Sequence, residues 1–409
     1  MINNFFLTFA LVLFSAFLFG KLFKLIKLPQ LIGYLLAGLI FGPTLFNFTN
    51  PLLLQIGSHL RRVALFIILM RSGTSLKLNE LKKIGLTSLL LSFIPATFEI
   101  TAFVILGPLL LNLSYLDSAV LGCIIAAVSP AIIVPRMIKL KKAGYSKDSK
   151  LPSTIMAGSS LDDIFVLSVF SVLLNIKKNE TNLVKKSFDY FEIFNIPNSI
   201  ILAIALGIVL GFLVVKFYKA TTLKKEFRLI ILIILAFALY GIEEALNSIK
   251  INFASLLSLF ILSIYVANYD SENLRFYSKN LERSWIFFEA VLFSLIGLIT
   301  HSKFDLKSTI LNLKSLGLII LAMLIRSIGT MLCFIKSKTT LKEKIFAIFA
   351  YLPKATVQAS LASIPLQSGI PSGEIMLVVG VISIIFSAPT FALILDLSYP
   401  KLLKKNVAY

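Results

Sequence analysis

Five ionisable side chains lie inside long apolar stretches of the chain: Glu99, Asp162, Asp163, Arg326 and Lys354. Charges at membrane depth are costly unless paired or hydrated, so each is a functional candidate. With all five ionised, three carboxylates face two cations, and one proton or one monovalent cation neutralises the set. A carboxylate that holds either a proton or a metal ion, never both, makes the two compete. Competition at a site that opens alternately to two sides of a membrane is exchange. In "SSLDD" (159 to 163), adjacent helical positions point about 100° apart, so Asp162 and Asp163 take different partners. Ser159, four residues before Asp163 on the same helical face, offers a neutral oxygen ligand.

These residues need elements to position them. The 409 residues are 57% hydrophobic and only 15% charged, the composition of an integral membrane protein in contact with lipid. Runs of about 20 apolar residues, enough to cross a hydrocarbon core of about 30 Å, begin and end near 5 to 27, 30 to 46, 57 to 76, 84 to 111, 118 to 140, 151 to 176, 198 to 218, 226 to 247, 251 to 269, 284 to 300, 314 to 335, 343 to 367 and 374 to 397. The sequence thus predicts an all-α polytopic membrane protein of about thirteen transmembrane helices. The net charge of +20 does not mark a nucleic-acid binder, because no soluble domain carries it. It reads as topology: 27 of the 40 Lys and Arg fall after odd-numbered segments or at the C-terminus, and by the positive-inside tendency the N-terminus is expected outside and the C-terminus in the cytoplasm, in the cell (plasma) membrane. The first run lacks a charged start and a cleavage site and is expected to be retained. Cys123 and Cys333 fall in apolar segments and imply no disulfide, and the isolated His59 and His301 offer no resident metal centre.

Thirteen segments divide as six, one and six, and the two six-segment halves then enter the membrane from opposite sides as inverted repeats. Matching irregularities support this division. The fifth segment contains "AAVSPAIIVPRM", with Pro130 and Pro135, and its counterpart contains "YLPKATVQASLASIPL", with Pro353 and Pro365. Proline removes a backbone donor, and unpaired backbone at membrane depth is tolerated only around a protein-lined site, so helix breaks are expected at Pro130 and Pro353, with Ser129 and Lys354 beside them. Glu99 and Arg326 occupy equivalent segments of the two halves and are expected to pair; Arg326 with Asp162 is the alternative. Lys354 is then expected to serve Asp162 and the carbonyls of its own broken helix. Asp163 remains as the leading carrier of cation and proton. Arg71, near a cytoplasmic helix end, is read as snorkelling or binding a carbonyl there, and Glu243, Glu244, Glu289 and Asp396 are left outside the site.

Four segments, "LPQLIGYLLAGLIFGP" (28 to 43), "AVSPAIIVP" (127 to 135), "SSLDD" (159 to 163) and "LPKATVQAS" (352 to 360), resemble the monovalent cation:proton antiporter superfamily, in its sodium/proton antiporter branch with a paired-aspartate motif. The resemblance extends over essentially the whole chain. It implies two crossed, interrupted helices, elevator-like alternating access and a homodimer. It also implies a dimerisation or panel domain (1 to 76 and 226 to 300), an ion-transporting core (84 to 176 and 314 to 397) and a linker helix (198 to 218). The family's ion-binding aspartates fall on Asp162 and Asp163, which would ligate the transported Na⁺, and its basic residue falls on Arg326. Some members carry Lys at that position and an acid beside the fifth-segment break. Here Arg326, which does not readily release a proton, and Ser129 stand instead, which implies one proton per sodium, with Lys354 as a possible second source.

The function expected is secondary active exchange of Na⁺ or Li⁺ for H⁺, with K⁺/H⁺ exchange as the alternative and no enzyme activity. The substrates are monovalent cations; no cofactor is called for, and the chain has no "GxxxxGK[ST]" nucleotide loop. An intramembrane aspartyl protease needs two carboxyls facing one another, which adjacent aspartates do not supply. A passive cation channel would pass sodium without coupled proton movement.

Overall fold

A computed structural model describes residues 4–26, 28–42, 45–46, 50–75, 85–146, 148–182, 191–248, 253–300 and 306–405. Among them the backbone is helical and contains no strand; an isolated bridge joins Tyr145 to Lys405. Helix covers most of the described residues of the expected segments. By length and apolar character, nine helices among the described residues can cross a membrane, against about thirteen expected, and Gln30–Phe41 and Ser255–Tyr269 are shorter apolar helices. His301 and residues 183–190 of the polar connector expected over 177 to 197 lie outside the described residues, and the rest of that connector is not loop but helix, at the ends of Leu151–Asn182 and Phe191–Ala220.

The interruptions are the features that matter for the site. The expected fifth helix is two pieces, Tyr115–Ala126 and Pro130–Lys142, separated by extended backbone at Ala127 and Ser129. Pro130 opens the second piece, where its missing N–H leaves no unmet donor and its fixed φ suits a helix start. Pro135 is accommodated inside that piece. The counterpart runs Leu341–Ala350, breaks through Pro353, and resumes as Thr356–Leu361 and Ile364–Gln367. The amide of Ser129 donates to the carbonyl of Pro353 at 3.0 Å, so the two breaks meet. A further interruption, between Leu86–Leu91 and Ile94–Leu111, comes just before Pro95 and divides the expected fourth segment.

Compactness separates the chain into two units. One comprises residues 1–61, 84–166 and 289–409 and holds both broken helices. Within it, Ile94–Leu111 packs along Leu306–Leu332 and Tyr115–Ala126, the arrangement that brings the fourth and eleventh expected segments together. Its interior includes Leu91, Val128, Ile133, Met137, Phe334 and Phe346 around the breaks. Gly38 and Gly297 let two helices of this unit touch: a Cβ at Gly38 would lie 2.0 Å from the Ser294 carbonyl, and one at Gly297 would lie 2.2 Å from that of Leu35. The other unit comprises residues 62–83 and 167–288. There Phe191–Ala220 packs on Ser255–Tyr269, and Arg228 binds Asp270 at 3.1 Å while Asn273 and Tyr277 also donate to Asp270.

Candidate ion-binding site

The five ionisable residues singled out in the sequence all belong to the first unit, and all are buried. Arg326 projects from Leu306–Leu332. Its Nη1 lies 2.7 Å from Glu99 Oε2 and also donates to the Ala126 carbonyl, its Nε donates to the Tyr351 carbonyl at 2.7 Å, and its Nη2 stands 3.5 Å from Asp162 Oδ2. The expected Glu99–Arg326 contact is therefore present, and so is the alternative to Asp162. A planar guanidinium with five donors serves both acids and two carbonyls at once, which a point-like ammonium does not do.

Lys354 departs from the expectation. Its Nζ donates to Glu99 Oε2 at 2.6 Å and to the Ala126 carbonyl at 3.3 Å, with no ion pair to Asp162 among the described residues. Its own amide is fixed on Ser387 Oγ at 2.9 Å, so the side chain extends from an anchored main chain toward Glu99. The carbonyl it serves is that of Ala126, at the end of the other broken helix. Asp162 Oδ2 receives instead the amide of Val128 at 2.8 Å, within the first break.

Glu99, Asp162, Arg326 and Lys354 thus form a set with equal numbers of acids and cations. Asp163, one position along the helix Leu151–Asn182, is left out of it. Its Oδ1 has no hydrogen-bond partner among the described residues, and neither have Asp162 Oδ1, Glu99 Oε1 and the Ser129 hydroxyl. Ser159 is buried and gives its proton to the Met156 carbonyl at 3.1 Å, leaving oxygen lone pairs to accept or ligate. Burying an ionised carboxylate without a partner is strongly unfavourable, whereas a proton or a small cation relieves it. Among the described residues no group of three or more His, Cys, Asp or Glu is placed to hold a metal ion. The donor set consists of hard oxygens, the ligand type preferred by hard cations.

Two participants escaped the sequence reading. Gln358 is buried and bonds to both breaks, and Ser387 anchors Lys354. The available signal for Gln358 was an amide side chain in "TVQASL", immediately after a break; for Ser387 there was none, since serine is common in apolar helices.

Residues 10–396 match the family described as the transmembrane sodium/hydrogen exchanger. The chain belongs to that family. Within it, the chain is 31% identical over 421 residues to sodium/hydrogen exchanger 9B2 of Homo sapiens, covering 97% of this chain and 74% of that protein. Sodium/hydrogen exchanger 9B1 of Homo sapiens is 30% identical over 414 residues, covering 97% of this chain and 78% of its own length. The fold of this exchanger-family chain is similar to that of the sodium proton antiporter MjNhaP1 from Methanocaldococcus jannaschii, with a TM-score of 0.77 at 20% identity over 96% of this chain and 97% of that one. The chain is accordingly a membrane protein of the cation:proton antiporter superfamily, as the four sequence segments implied.

Proposed function

We propose that the chain exchanges Na⁺ or Li⁺ for H⁺, with proton and cation competing for Asp163 and Asp162. The observation that carries this reading is the division of the buried charges: two acids and two cations form ion pairs with one another, and Asp163 stands beside them with no cationic partner among the described residues. One proton or one sodium ion completes the balance, and each excludes the other. Ser159 and Ser129 supply neutral oxygens, Glu99, Arg326 and Lys354 keep the rest of the set neutral, and the breaks at Pro130 and Pro353 bring carbonyls and amides to the same depth. Arg326 stays protonated, so a single proton is exchanged per cation.

Access alternates by an elevator-like movement of the core (84 to 176 and 314 to 397) against a dimerisation domain (1 to 76 and 226 to 300), with 198 to 218 as the linker, in a homodimer. The excess of Lys and Arg after odd-numbered segments supports an outside N-terminus and a cytoplasmic C-terminus in the cell membrane. The names of the 9B1 and 9B2 relatives and of the antiporter with the similar fold favour sodium as the cation.

The test is reconstitution in proteoliposomes carrying an internal pH dye, with a proton gradient imposed and Na⁺, Li⁺ or K⁺ added. Na⁺ and Li⁺ are expected to drive proton movement that disappears in Asp163→Asn. Normal sodium-coupled proton flux in that variant would refute the assignment of the carrier, and a response to K⁺ alone would replace sodium by potassium.

A further inference from the structure

The two helix breaks are joined by a side chain that carries no charge. Gln358, on the short helix Thr356–Leu361, donates through Nε2 to the Ala127 carbonyl at 2.7 Å and to the Ile125 carbonyl at 3.1 Å, and accepts through Oε1 from the Ala355 amide at 2.7 Å. Two carbonyls require the donor end of the amide and an N–H requires its acceptor end, so this orientation alone satisfies all three contacts.

The peptide geometry gives these contacts their meaning. The carbonyl of Ala127 and the amide of Val128 belong to one planar peptide group, so fixing one end aims the other. Gln358 holds the carbonyl end, and the amide end donates to Asp162 Oδ2 at 2.8 Å. In the second break, the Ala355 amide bonded to Gln358 shares a peptide with the Lys354 carbonyl, which lies 3.5 Å from Ser387 Oγ, and Ser387 Oγ also accepts from the Lys354 amide. One side chain therefore ties the peptide that holds Asp162 to the peptide that carries Lys354. We infer that Gln358 is a positioning residue for cation–proton exchange, acting on Asp162 through the Ala127–Val128 peptide and on Lys354 through the Lys354–Ala355 peptide.

A role confined to satisfying broken-helix backbone would affect folding and leave the proton response alone. Positioning predicts more. A hydrogen bond to an ionised carboxylate favours the ionised form, so loosening the Val128 amide makes the proton harder to displace, and the pH profile of exchange moves to higher pH. The inference rests on the proposed exchange reading, and the unsubstituted chain in the same vesicles separates the two.

The experiment compares Gln358→Met, which keeps length and removes all three contacts, with Gln358→Glu, which keeps an acceptor for Ala355 and loses the amide donors to Ala127 and Ile125. Proteoliposomes with an internal pH dye give the pH profile and the apparent KM for Na⁺, and size-exclusion chromatography with thermal melting reports folding. Both variants are expected to fold, to raise the KM for Na⁺ by about 10- to 100-fold, the usual scale for a partner of a ligating group, and to shift the pH midpoint upward by about half a unit to one unit. A KM within twofold of the unsubstituted chain together with an unmoved midpoint in either variant overturns the assignment. Aggregation of both variants also overturns it, since Gln358 would then serve folding. Absence of sodium-linked proton movement in the unsubstituted chain would overturn the exchange reading and this inference with it.

Discussion

Arg326→Met removes one unit charge from a buried set of two acids and two cations, leaving Glu99 and Asp162 to share Lys354. Deleting one partner of a buried ion pair costs roughly 3–5 kcal/mol. The carbonyls of Ala126 and Tyr351 also lose a donor each, adding about 1 kcal/mol apiece. The expected loss is about 5–7 kcal/mol. Glu99→Gln alone errs in the other direction, with two cations facing one acid. Combining the two substitutions leaves one acid, Asp162, and one cation, Lys354, with no net charge, so the double variant should be more stable than the separate losses predict by at least about 2 kcal/mol, within the range seen for coupled neighbours. Unfolding by denaturant titration in detergent, followed through the fluorescence of Trp285, the single tryptophan of the chain, measures all four corners of this cycle. If the two losses add to within about 0.5 kcal/mol, the four charges are not one network and the reasoning about Asp163 as the unbalanced member fails.

Three other substitutions test the surroundings. A Cβ on Gly158 would come within 2.2 Å of the Tyr351 hydroxyl, so Gly158→Ala should destabilise by about 1–3 kcal/mol; Tyr351→Phe removes the obstructing atom, which has no hydrogen-bond partner among the described residues, and should recover part of the loss in thermal melting. Arg136 bonds Asp396 through two nitrogens, at 3.0 and 2.8 Å, but the Asp396 side chain is 51% exposed. Asp396→Ala should therefore cost at most about 1 kcal/mol and leave the rate of sodium-coupled proton movement unaltered; a tenfold slower rate would bring Asp396 into the ion path.

The parts of this architecture governed by solvent were legible in the sequence. Lipid demands long apolar runs, and the helices fall where those runs lie, with ends displaced where charge interrupts apolarity: Leu274–Ile299 begins ten residues before the expected segment because Arg275, Lys279, Glu282 and Arg283 dilute its first turns. Proline and membrane depth together located both breaks. The Glu99–Arg326 contact followed from equivalent positions in two repeats. Side-chain reach did not follow. Arg326 touches both Glu99 and Asp162, and Lys354 reaches across to Glu99, because these choices depend on where the breaks place particular carbonyls and amides, a matter of ångströms that residue spacing does not encode. Gln358 was overlooked for a related reason: it is neutral, and its importance lies in three backbone groups that exist as partners only once two distant breaks meet.

The two free cysteines, Cys123 and Cys333, are both buried within the unit that holds the broken helices. Thiol reagents attack exposed thiolates and spare thiols packed in apolar surroundings. A cysteine introduced at a water-facing position of this chain would thus be modified selectively in the natural background, without first replacing the two that are there. Spin labels or fluorophores placed in this way on each side of the proposed core would allow its displacement to be followed as sodium replaces protons, with the packing around Arg326 and Asp162 left as it is.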